Sequence, residues 1–571
     1  MMKTYPVMLG SPSRAIPLAA GLVLACALFL ACGGEKKNAA GPAANSASVV
    51  TAPGQLPIVT EPVSLSIGLQ QSQNVVDYAA NYLTTYLQEK TGIGINFYFF
   101  SPNANDANTQ LELMISSNEK LPDLIAMGGL PNWKEHGDAG VFIDLEPLYE
   151  KYAYFYNQRI SKMDPPEIDR IRIKSSSSSG KRYAHSMYSY QATQQYRSMN
   201  FINQTWLDNL GLPMPATTEE FYNTLVAFRD RDPNKNGRKD EIPFLGSLSA
   251  YAAEPLAFLI NAFVYYPYRD AENWFLNATG GKLWTPWTTE EYREALRYIN
   301  RLYREGLIAP ATFTITQQEM IPLLSYAPGE TPTVGFFSGH QNQVLRPETP
   351  AIYDYAYQVS LTGPRGVNWY PQLPPRIAPA CFITKDCAYP EAAFRLLDFI
   401  CDLETTMTAR YGEQGVDWKL VSPEDNFRSY LDRPAWFQQI NMIWGIPQNK
   451  HWALEFAQIY IKENDVANAV WFDDGSWNAS RYKMYQRIFV NDGKDAPEKV
   501  DTIVYTQEEE DQIRELRSTI DTYRAECLSL FCTGTMNLDR DWDNYLSELD
   551  KMGLKRYLET AQKAYTRTIG R

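Results

Sequence analysis

The residues with the most definite chemistry lie in one short loop. Asp232, Asn234, Asn236 and Asp240 set oxygen-bearing side chains at alternate positions, with Gly237 sixth in the run and Arg238 seventh, where only its backbone carbonyl is a donor. That is the front half of a calcium-binding loop, in which the glycine permits the sharp turn. Position twelve holds Pro243 instead of a bidentate Glu, which leaves Asp240 and Glu241 to close the shell. Hard oxygen donors without His or Cys favour Ca2+ over zinc. Every donor is committed to coordination, so the ion is expected to be structural.

No other chemistry stands out. The histidines, His136, His185, His340 and His451, show neither metal-ligand nor triad spacing. No Gly-x-Ser-x-Gly or phosphate loop is present. The 66 acidic residues contain no pair whose spacing marks a glycosidase. Asp539-Arg-Asp-Trp-Asp543 reads as solvated surface. No catalytic residue is assigned, and an enzyme is not expected. A net charge of -13 argues against nucleic acid, which requires a basic stripe. Aromatics make up 13% of the chain, with 13 Trp and 37 Tyr, enough for both a core and a cleft.

Alternating strand-like and helix-like segments must position these residues, the pattern of an α/β protein. Ser64–Gly68, Ile93–Phe100 and Leu121–Gly128 read as strands, with a helix over Tyr78–Lys90 between the first two. Thr217-x-x-Glu220 and Thr288-x-x-Glu291 are capping boxes ahead of amphipathic helices. Lys174–Gly180, with five consecutive serines, reads as a solvated loop and nothing more. Beyond about residue 436 the pattern is mostly helical. Cys527 and Cys532 are as readily reduced as paired, and five cysteines beyond the leader make no complete disulfide framework. Residues 1–31 carry a basic start and an apolar run, an export signal. Cys32 directly after it, or Cys26 within it, suits a lipoprotein box. Residues 32–62, rich in Ala, Ser, Gly and Pro, read as a flexible linker.

Asn200-Phe-Ile-Asn-Gln-Thr-Trp-Leu-Asp-Asn-Leu-Gly-Leu-Pro-Met-Pro-Ala-Thr-Thr-Glu-Glu-Phe221 leads straight into Asp232-Pro-Asn-Lys-Asn-Gly-Arg-Lys-Asp-Glu-Ile-Pro243. Together with Leu121-Pro-Asp-Leu-Ile125 and Ile383-Thr-Lys-Asp-Cys387 through Trp418, these blocks resemble the extracellular solute-binding proteins, family 1, of ABC importers, in their large oligosaccharide-binding lipoprotein branch. In that family the same Asp and Glu close the calcium loop. The resemblance implies a type II periplasmic-binding-protein-like α/β fold, with two lobes hinged about a cleft and a helical C-terminal region. The lobes are expected at 63–188 with 378–435, and at 189–377 with 436–571. A monomer is expected, anchored by lipid outside the cytoplasm, binding a small molecule of the oligosaccharide class and partnered by an ABC permease. An extracellular carbohydrate-active enzyme or a surface adhesin is the alternative.

A sugar pocket pairs aromatic platforms with polar groups that fix orientation. Loops at the carboxyl ends of the early strands face such a cleft. They contribute Gln70, Gln71 and Asn74, then Asn132 and Trp133 after Gly128-Gly129. Tyr188 and Tyr190 lie near the hinge, and Tyr251, Trp369, Trp444 and Trp471 are expected from the second lobe.

Overall fold

The computed structural model describes residues 49–569 except 191–198, 251–252, 268–273, 341–343, 346–348, 350, 430–433, 442, 445, 455, 462–467, 471–495, 497 and 501. Cys26, Cys32, Tyr251 and Trp471 lie outside the described residues. Among the described residues no helix is long and apolar enough to cross a membrane.

The first body is built on a six-stranded sheet. Its order is Ile459–Tyr460, His185–Ser189, Arg376–Ile383, Leu124–Ala126, Val63–Gln70, Ile93–Phe100. Val63–Gln70 runs parallel to both of its neighbours, whereas Arg376–Ile383 runs antiparallel to Leu124–Ala126 and His185–Ser189. Alternate residues of a strand point to opposite faces, and here both faces are covered. Leu124, Ala126, Cys381 and Ile383 join one apolar cluster with the helix Pro390–Ile400; Ile125 and Phe382 join another with the helix Ala104–Ser116.

The second body repeats this logic on four strands, in the order Tyr355–Tyr357, Asn200–Asn203, Val334–Ser338, Ile242–Leu245. Ile202, Phe244 and Phe336 face the larger apolar cluster, which collects the helices Thr218–Asp230, Glu290–Arg304, Gln507–Thr533, Trp542–Lys551 and Leu554–Ile569. Phe201, Leu245 and Phe337 face the smaller cluster behind. The chain leaves the first sheet between Ser189 and Asn200, returns between Tyr357 and Arg376, and leaves again between Ile461 and Val500.

Several expectations require correction. Residues 49–62 are not a leash: Ile58 and Val59 are buried in the first body, and the Arg395 guanidinium donates to the carbonyls of Thr51 and Gln55. Residues 436–461 belong with the first body, because Phe437 packs on Trp418 while Trp452, Phe456 and Ile459 fill its main cluster. That stretch contains short strands, and the long helices begin only at Gln507. The capping box at Thr217 and Glu220 forms, whereas the later helix is capped by Thr289, one residue beyond Thr288, through the Tyr292 N–H. Cys527 and Cys532 are unpaired thiols buried on the same helix.

Candidate functional site

The cation loop connects the helix Thr218–Asp230 to the strand Ile242–Leu245. Burial of Phe221, Leu225 and Phe228 fixes the helix, and Phe244 fixes the strand, so both ends of the loop are held by core packing. Asp232 and Lys235 adopt left-handed backbone, as does Gly237 at φ 74°. This curls successive N–H groups inward: those of Asn236 and Gly237 donate to the Asp232 carboxylate at 3.1 and 3.0 Å. The Asn236 amide reaches Asp240 at 3.1 Å, and the Arg238 N–H donates to the Asn236 side chain at 2.7 Å. Glu241 is left with a buried Oε1 that accepts no hydrogen bond. Burial, then the neighbouring Asp240 and Asp232 charges, push its pKa upward. An unsatisfied buried acceptor beside two carboxylates is unfavourable, and a hard cation would relieve it. Asp232, Asn234, Asn236, Asp240 and Glu241, with the Arg238 carbonyl, therefore fit such an ion by donor chemistry. Among the described residues no cluster of three His, Cys, Asp or Glu side chains is arranged as a metal site.

A second feature lies between the two bodies. A cavity of about 690 Å3 is walled on one side by Trp133, Lys134, Ile377 and the segment 172–180, and on the other by 502–506, Glu510, Arg517 and Arg567. A short helix and a long one set this up. Trp133 opens the helix Trp133–Asp138 and rests on Phe382 of the first sheet, ring centroids 5.7 Å apart. Asn132 takes a left-handed conformation to turn the chain into that helix. Facing it, Tyr505 precedes the helix Gln507–Thr533, which a Thr506–Glu509 capping box starts. Lys134 bridges to Glu510 at 3.2 Å across the gap, and Arg514 approaches Glu135 at 3.6 Å. A smaller hollow of about 350 Å3 lies at this bridge, lined by residues 130–135 with Glu510 and Arg514. The arrangement can enclose a flat-faced molecule between an indole and a phenol, with charged groups around it.

No family model matches the chain. The fructooligosaccharide ABC transporter substrate-binding protein FusA of Streptococcus pneumoniae is 26% identical over 516 residues, 84% of this chain and 85% of its own length. Lipoprotein LipO of Bacillus subtilis is 28% identical over 208 residues, covering 35% of this chain and 36% of its own. The homologues of this chain are ABC-transporter substrate-binding proteins. The structure of FusA in complex with kestose superposes with a TM-score of 0.69 at 22% identity, over 89% of this chain and 99% of that one. An EF-hand mutant of FusA in complex with fructo-nystose gives the same score. An extracellular solute-binding protein of Bifidobacterium longum subsp. infantis gives 0.70 at 18% identity, over 88% and 98% of the two chains. At these identities the superpositions establish the fold, that of a two-domain substrate-binding protein.

Within that fold the candidate ligand residues scatter. Trp133 lines both hollows and Asn132 the smaller one. Gln70 is tied by its side-chain amide to the Pro102 carbonyl at 2.6 Å, and the Gln71 N–H donates to Phe100. The Asn74 carbonyl accepts from Gln448. These three edge the first strand and line neither hollow. Tyr188 is a correction: it is 1% exposed, and its hydroxyl donates to Glu167 at 2.9 Å. Tyr190 is half-buried against the same core, its N–H on the Tyr460 carbonyl. Trp369 stands edge-on to Tyr265 at 5.8 Å. Trp444 was expected from the second lobe but sits on the first body, where its indole N–H donates to the Arg410 carbonyl at 2.8 Å. Sequence reasoning missed Tyr505, Arg517 and Lys134, and it dismissed the 174–180 loop, which lines the cavity. Lys134 beside Trp133 was the one local signal available; Tyr505 and Arg517 gave none.

Proposed function

We propose that this protein captures an oligosaccharide between its two bodies and delivers it, unaltered, to an ABC permease, held by a lipid on Cys32 outside the cytoplasm. One calcium ion braces the loop Asp232–Glu241 and takes no part in binding the sugar. The observation that carries this reading is the cavity walled by Trp133 from one body and Tyr505 from the other, spanned by the Lys134–Glu510 bridge. A site made of two halves suits a protein that closes on its ligand and opens to release it. FusA, which binds fructooligosaccharide by its name, spans most of the chain, and the EF-hand of that relative supports the calcium reading.

The test is calorimetric titration of the purified protein with a panel of neutral and acidic oligosaccharides. Binding with no release of reducing sugar is expected. Trp133→Ala should weaken it roughly tenfold, the scale of one lost aromatic platform. Turnover of any panel member, or binding to none, would sink the proposal.

A further inference from the structure

The charge around the cavity runs against the charge of the chain. The protein carries a net -13, yet the ionisable side chains lining this cavity are Lys134, Arg172, Lys174, Arg517 and Arg567 against Glu510 alone. An acidic surface repels anions, while a cleft with low-dielectric walls concentrates the field of the charges that line it. A basic cavity in an acidic protein therefore selects for something.

Their partners set Arg517 apart from Arg567, Lys134 and Arg172. Arg567 is neutralised by Glu509, with contacts of 2.5 and 3.1 Å. Lys134 is held by Glu510, and Arg172 by Glu146 at 3.1 Å. Arg517 has no ion pair among the described residues. Its Nη2 donates to the Tyr505 hydroxyl, a neutral acceptor, at 3.0 Å, and its Nε is buried without any acceptor. Three aromatic rings surround the guanidinium instead, with centroids at 5.0 Å for Tyr505, 5.4 Å for Tyr557 and 6.0 Å for Trp274.

Such a box holds the planar fork against aromatic faces without neutralising its charge. A sugar hydroxyl can accept a hydrogen bond from it, but only an anion supplies the missing charge, and guanidinium–carboxylate bonds are about twice as strong as neutral ones. We propose that the cavity takes an acidic oligosaccharide, with the carboxylate of a uronate ring seated at Arg517 and the ring faces between Trp133 and Tyr505. This rests on the reading of the cavity as a carbohydrate site and adds the chemical class of the carbohydrate.

Trigalacturonate and its fully methyl-esterified form share one skeleton and differ in charge, so titrating the purified protein with both isolates the carboxylate. The acid is expected to bind at least about tenfold more tightly than the ester and than neutral kestose. Its affinity should fall as NaCl is raised from about 0.05 to about 0.5 M, as screening requires. Arg517→Gln should abolish most of the acid–ester difference, and Arg517→Lys should restore part of it. Arg172→Gln, at an exposed side chain, should cost the acid only about two- to threefold. Should Arg517→Gln fail to fold, the wild-type comparison and Arg172→Gln still decide. Equal binding of acid and ester, or binding of neutral sugars only, overturns the acidic assignment and leaves the oligosaccharide reading standing. Failure of every sugar, neutral and acidic, overturns both.

Discussion

The loop at 232–241 and the cavity beside Trp133 are both assembled from polar side chains, but by opposite routes. The loop draws its donors from ten consecutive residues, and its backbone N–H groups already point at Asp232. The cavity draws its walls from residues as far apart as Trp133 and Arg567, and its two halves belong to different hydrophobic cores. A site closed by local geometry survives motion between the bodies. One divided between them responds to it. On the proposed function the two regions would divide the labour: the loop would brace one body, and the cavity would depend on both.

The largest expected effect tests the foundation of the braced region. Trp206 is fully buried, edge-on to Phe228 at 5.1 Å. Trp206→Ala should cost about 3–5 kcal/mol in denaturant unfolding, and a loss under about 1 kcal/mol would mean that this core does not carry the loop. Metal removal comes next. At about 10 mM calcium, a site of extracellular affinity contributes about 1.4–2.7 kcal/mol by mass action. Chelation should remove that stability while sugar affinity stays within about twofold, as expected for separated sites. Loss of binding with the fold intact would merge the two regions into one.

Acid is expected to weaken the other body instead. His185 lies fully buried in the first sheet, its Nδ1 2.6 Å from the Tyr149 hydroxyl. Burial, then the nearby Arg182 charge, lowers its pKa to about 3. A depressed histidine pKa means that the unfolded chain binds the extra proton. The contribution is thus complete above the unfolded value near 6.5 and is lost as pH falls through the window toward 3. Between pH 7 and pH 5 this amounts to about 2 kcal/mol. His185→Gln should flatten that part of the stability profile relative to wild type; parallel profiles would show that His185 is not the group responsible. The smallest effect belongs to the bridge across the cavity. Lys134 and Glu510 are each about 30% exposed, so their coupling in a double-mutant cycle should fall below about 1 kcal/mol. Lys134→Gln should expand the free protein slightly in solution scattering, and an unchanged profile would show that other contacts hold the bodies together.

The strands at Val63–Gln70 and Ile93–Phe100 were legible because alternating and apolar runs follow the pleat, and the helix at Thr218–Asp230 because its cap and apolar face are local. The stretch 436–461 was misread for the reverse reason. Trp452, Phe456 and Ile459 are apolar enough for either core, and only pairing with His185–Ser189 assigns them. Tyr188 shows the same ambiguity at one residue: an aromatic near a hinge suits a cleft or a core equally until Glu167 is found against its hydroxyl.

By itself the amino-acid order determined the α/β class, the capped helices and the oxygen-donor loop, since each depends on contacts within about a dozen residues. Only the tertiary structure decided which cations pair with carboxylates and which is left without one. Tyr505 and Arg517 carry no mark in the chain, because the wall that faces them, Trp133 and the segment 172–180, comes from more than three hundred residues away. Burial, charge and partnership are properties of that assembly, and the binding chemistry of the cavity depends on all three.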